Sequence, residues 1–139
     1  MINIGNVMCS PFAFMASIWR MPWYWRIWIV ALMVLNGVVP FLYLEFVEAK
    51  VVISVFMLAA ITQMIIYYQK GFVRLLGIGH VYWFPLLVWL FMRNNDGQLT
   101  DDIIIWISLL FFFNIVSLLI DMVDLIHYWR GERSPTILL

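Results

Sequence analysis

Four stretches free of Asp, Glu, Lys and Arg, all nearly equal in length, constrain this chain more than any other feature. Eighteen residues separate Arg26 from Glu45, 19 separate Lys50 from Lys70, 18 separate Arg74 from Arg93, and 18 separate Asp102 from Asp121. As helix, each interval runs roughly 27 Å at 1.5 Å per residue, close to a hydrocarbon core of about 30 Å. There the backbone must satisfy its own hydrogen bonds, and helices do so individually. A soluble core can contain one such interval, but not four in succession. Composition agrees, because only 12% of residues are charged, against about 25% in a soluble domain.

The expected fold class is therefore an all-α membrane protein: an antiparallel, up-down four-helix transmembrane bundle with a short interfacial N-terminal helix. It forms a single integral membrane domain over residues 1–139. Helices are expected at about 23–46, 50–70, 74–93 and 101–129, followed by a cytoplasmic tail at 130–139. The short links Glu45–Lys50, Lys70–Arg74 and Arg93–Asp102 make consecutive helices antiparallel neighbours. The third link contains Asn95-Asp96-Gly97, a turn signal, and offers Thr100 or Asp101 as a helix cap.

Six of the eight basic residues (Arg20, Arg26, Lys70, Arg74, Arg130, Arg133) share one side if both termini are cytoplasmic, leaving Lys50 and Arg93 outside. The positive-inside rule selects that orientation. Trp23, Trp25, Trp28, Tyr67, Tyr68, Tyr128 and Trp129 then anchor the inner interface, and Tyr43, Trp89 and Trp106 the outer. The expected location is a bacterial plasma (inner) membrane. Residues 1–22 are apolar as well: Ser10-Pro11 has the signature of a helix start. Phe12, Met15, Ile18 and Trp19 recur at helical spacing up to Pro22, as in a helix lying in the interface. Docking on a partner is the alternative for this segment. Residues 1–10 lack the marks of a cleaved signal peptide. Cys9, the only cysteine, allows no internal disulfide or CxxC pair, and no role is expected of it.

The charged residues also serve as a depth scale. Gln63, His80 and Asn114 fall roughly 18–20 Å below the outer charges, and Asn36 roughly 13–14 Å. The first three thus share one level; a desolvated amide or imidazole needs a partner, so these groups are expected to face one another across the bundle, not the lipid. Asn114, Ser117, Asp121 and Asp124 step by three, four and three along one face of the last helix. The candidate intramembrane polar site is thus Asn36, Gln63, His80, Asn114, Ser117, Asp121 and Asp124. Arg26, Arg74 or His127 are the expected cationic partners of the two carboxylates. Such a set either forms a hydrated proton path or ties the helices together by hydrogen bonds. Pro40 and Pro85 are expected to disturb their helices around Asn36-Gly37 and Val81.

Several chemistries are excluded. His80 and His127 differ in depth by too much to ligate one haem in a single subunit. The spacing Asp121, Asp124, His127 falls short of the three or four well-placed ligands of a closed metal site. No HExxH, Gly-x-Ser-x-Gly, Walker or dinucleotide motif occurs. No cofactor or metal is expected. Zero net charge gives nucleic acid nothing to bind.

Three functional classes follow. The leading expectation is a non-catalytic subunit or scaffold, assembling with itself as a homo-oligomer or with other membrane subunits, and with the lipid bilayer as its solvent. The alternative is an oligomeric proton or ion channel, or small-solute transporter, using the face around His80, Asn114, Ser117 and Asp121. A membrane enzyme built on Asp121, Asp124 and His80 is third, since no nucleophile–base set accompanies them.

Overall fold

The computed structural model describes residues 11–134; Cys9, the Ser10 cap and residues 135–139 of the tail lie outside them. Every regular element among the described residues is helical: α1 (Pro11–Trp19), α2 (Trp23–Tyr43), α3 (Val47–Lys70), α4 (Arg74–Asn95) and α5 (Asp101–Trp129). The last four are long and apolar enough to cross a membrane. Only 17% of the most apolar window of α2 and of α3 is buried, and 33% of that of α4 and of α5. The rest turns Ile27, Leu58, Phe84, Ile105, Phe112 and similar side chains outward. Only an apolar solvent tolerates that much exposed hydrocarbon.

One end of the bundle, the Arg93 end, has a packed apolar core of Ala49, Val52, Leu86, Leu87, Leu90, Ile103, Trp106, Ile107 and Leu110. Helix α3 starts at Val47, earlier than its charges suggest. Glu48 therefore leaves the expected loop for the first helical turn, where a carboxylate suits the helix dipole. It is 2% exposed and accepts a hydrogen bond from Arg93 Nε at 2.6 Å.

Helix α2 is α-helical to Met33, a π turn over Val34–Val38 and a 3-10 segment over Val39–Tyr43. Local chemistry accounts for the change. The Val39 N–H donates to the Val34 carbonyl, five residues back, and Pro40 has no N–H to give. The Leu35 carbonyl, freed in this way, accepts the indole N–H of Trp106 at 2.9 Å.

Helix α4 opens as a 3-10 helix, Arg74–Tyr82, and becomes α-helical over Trp83–Asn95. Pro85 lies three residues past the end of the 3-10 segment and has no N–H to give to the carbonyls of Val81 and Tyr82 behind it, and the geometry changes beside them. With three residues per turn, side chains at i and i+3 eclipse, so Arg74, Gly77 and His80 form one row and Leu76 and Gly79 another. The first row lies on α5: a Cβ on Gly77 would stand 2.9 Å from Asp121 Cβ. The second lies on α3: a Cβ on Gly79 would stand 2.3 Å from Gln63 Cγ and 3.1 Å from the Ala59 carbonyl oxygen. Glycine at both positions lets α4 wedge between its neighbours.

The apolar stripe read on α1 is divided. Ser17 and Ile18 are buried, whereas Phe12 and Trp19 are exposed. Phe14, which was not part of the stripe, meets Tyr67 edge-on at 5.3 Å between ring centroids and Phe72 at 5.8 Å. The aromatic surface at the end of α3 thus selects which side of α1 turns inward.

Candidate functional site

The polar residues expected to face one another separate into two groups. Asn36 and Asn114 are 0% exposed and bond reciprocally, each Nδ2 donating to the other's Oδ1 at 2.9 Å. The second Asn36 amide hydrogen goes to the Leu32 carbonyl at 3.0 Å. Asn114 therefore does not join His80. Asn36 was placed too shallow because the depth scale assumed a uniform 1.5 Å rise, whereas Val39–Tyr43, between it and the outer charges, is 3-10, with a rise of about 2.0 Å per residue.

The second group centres on His80. Gln63 Nε2 lies 2.8 Å from His80 Nε2 and 3.5 Å from the Leu76 carbonyl oxygen. With the amide nitrogen as donor, His80 Nε2 is the acceptor and Nδ1 carries the proton. Nδ1 then donates to Asp121 Oδ2 at 2.5 Å. The imidazole stacks on Trp83, with centroids 4.1 Å apart and planes 16° from parallel. One turn further along α5, Asp124 is ion-paired with Arg74.

The expected pairing of carboxylates with cations needs correction on three points. Asp121 meets the imidazole of His80, not Arg26, Arg74 or His127, because the 3-10 row carries His80 past Gly77 onto it. His127 Nδ1 instead pairs with Glu132 Oε1 at 2.8 Å. The Arg26 guanidinium lies over the Trp19 ring at 5.9 Å. Arg74 does meet Asp124, and its Nη2 also reaches Glu132 Oε2 at 3.2 Å. Glu132 lies outside the spans. The His127 hydrogen bond, helped by the charges of His127 and Arg74, holds its carboxyl below the usual value.

These groups border a cavity of about 400 Å³ in the Arg74 half of the bundle. Gln63, Arg74, His80, Ser117, Asp121 and Asp124 supply its polar wall, and Phe14, Trp25, Trp28, Phe56 and Trp83 much of its apolar wall. The indole N–H of Trp83 and the hydroxyl of Tyr67 are buried and have no hydrogen-bond partner among the described residues. Sequence reasoning did not single out Trp83, Glu132 or the tryptophans of α2 as site residues. Aromatic side chains near a membrane interface read as anchors, and a single Glu in a charged tail carries no signal. No group of three or more His, Cys, Asp or Glu among the described residues is placed to hold a metal ion.

The arrangement orients an imidazole between an amide and a carboxylate beside a cavity. That geometry can bind a polar head and shelter an apolar body. Taken together, the helices and the cavity describe a chain of the multi-pass membrane class. Comparison with protein-family models, with curated proteins and with solved structures finds no match.

Proposed function

We propose that the chain is a non-catalytic membrane protein that works by association. In this reading it receives a ligand in the cavity and assembles with copies of itself or with other membrane chains. The observation that carries the proposal is where the polar groups stop. Beyond the Asn36–Asn114 pair, toward the Arg93 end, Leu110, Trp106, Ile107, Leu90 and Val52 are packed and buried. None of those side chains borders the cavity, and a packed apolar layer offers no continuous wet route through a single chain.

The finer architecture is part of the proposal. Contacts that run in opposite senses along paired helices support an antiparallel, up-down arrangement. Trp28 stacks on Phe113 while Leu35 meets Trp106. Glu48 meets Arg93 while Gln63 meets His80. The basic residues support cytoplasmic termini, which puts the cavity in the inner leaflet and α1 at the inner interface.

The rival is the oligomeric channel or transporter, favoured by a titratable His80–Asp121 pair within the spans. Reconstitution into liposomes carrying an internal pH indicator separates the two. The expected result is no proton or ion flux, with a reproducible homo-oligomer or heterologous partner in intact-particle mass measurements from the native membrane. Flux that disappears in His80→Phe or Asp121→Asn would replace association with conduction.

A further inference from the structure

We infer that the cavity binds the alkylammonium head of an amphiphile, with the cation on Asp121; this rests on the reading of the cavity as a receiving site. Arg74 is already taken by Asp124 and Glu132. Asp121 Oδ2 meets His80 Nδ1 at 2.5 Å, and among the described residues no donor reaches its Oδ1. Its side chain is only 15% exposed. A carboxylate oxygen so far removed from water calls for a donor, an alkylammonium brings N–H groups together with a positive charge, and among the described residues no Lys or Arg is paired with Asp121.

The walls select what kind of cation. Trp25 and Trp28 line the cavity with Asp121, and indole faces attract organic cations. A small hydrated metal ion gains nothing from those apolar walls, whereas an alkyl chain fills them. A cavity of about 400 Å³ lies in the size range of small-molecule sites. The ammonium can come from a free amine amphiphile or from an aminophospholipid headgroup.

The test uses the full chain in maltoside micelles, titrated with dodecylamine and with its uncharged relative N-dodecylacetamide. Tryptophan emission is read against mole fraction in the micelle. Dodecylamine is expected to saturate at a concentration at least about tenfold lower, equivalent to about 1.4 kcal/mol. Asp121→Asn should abolish the preference, whereas Asp102→Asn, at the far end of α5, should retain it. Equal affinities in the unaltered protein, or a preference surviving Asp121→Asn, would overturn the inference. The comparison within the unaltered protein holds even if the variant fails to fold. If neither compound saturates, the receiving-site reading fails first, a result distinct from equal saturation by both. Nanodiscs of phosphatidylethanolamine or phosphatidylglycerol then assign the source. Weaker dodecylamine binding in phosphatidylethanolamine identifies the lipid head, and equal binding identifies a free amine; both keep the ammonium site.

Discussion

Asn36 and Asn114 exchange two amide hydrogen bonds at 2.9 Å, the only reciprocal side-chain pair among the described residues of the spans. Removing one partner strands the other in an apolar core. Asn36→Leu and Asn114→Leu should each destabilise the protein by about 1–3 kcal/mol. The double variant should lose less than the sum, since it leaves no orphaned amide. A double-mutant cycle by reversible unfolding in mixed micelles should give a coupling of about 0.6–2 kcal/mol. Additive losses would show that the pair contributes nothing.

Gly79 presents its α-hydrogens to the side chain of Gln63 and to the Ala59 carbonyl. A methyl group there has no room, because backbone on α3 cannot swing away as a side chain can. Gly79→Ala should cost about 1–3 kcal/mol through overpacking and move His80 off Gln63. Thermal unfolding measures the first effect, and the ¹⁵N shift of the His80 imidazole the second. An unchanged melting temperature would argue against the close α3–α4 contact.

Arg74 joins Asp124 with side chains 29% and 35% exposed, so water screens much of their attraction. Arg74→Gln and Asp124→Asn should each cost no more than about 1 kcal/mol, with coupling of about 0.2–1 kcal/mol in the double variant. Raising the salt concentration should shrink that coupling. A coupling indifferent to salt would indicate that the pair is held by packing.

Glu132 should titrate below the ordinary glutamate value, chiefly because His127 donates to it. With its pKa lowered in the fold, its contribution to stability is present above the unfolded value. That contribution is lost as pH falls through the lowered one. Carboxyl ¹³C shifts should show the lowered midpoint and its return toward normal in His127→Phe. Arg74→Gln should produce a smaller return. A midpoint indifferent to His127 would contradict the observed pairing.

Much of the architecture was legible because membrane spans are set by quantities local to the sequence. The charge intervals located four apolar helices within a few residues. The clearest boundary difference is Glu48, read as a loop residue because charged side chains usually stay in water. It enters the helix because Arg93, 45 residues later, covers it. The effect of Pro40 was foreseeable near Asn36, but not that the Leu35 carbonyl it frees would accept the indole N–H of Trp106, 71 residues later.

The site was legible as a set of residues and not as a set of partnerships. Gln63, His80, Ser117, Asp121 and Asp124 border one cavity, whereas Asn36 and Asn114 close on each other. The sequence by itself determined the length, apolarity and number of the spans, because 1.5 Å per residue and the exclusion of charge from hydrocarbon act on each segment independently. Only the tertiary structure decided who meets whom. The 3-10 start of α4 eclipses Arg74 with His80, two glycines admit α3 and α5 to close range, and Asp121 thereby faces an imidazole instead of a guanidinium. Those choices depend on the local rise and rotation of several helices at once, and no single segment encodes them.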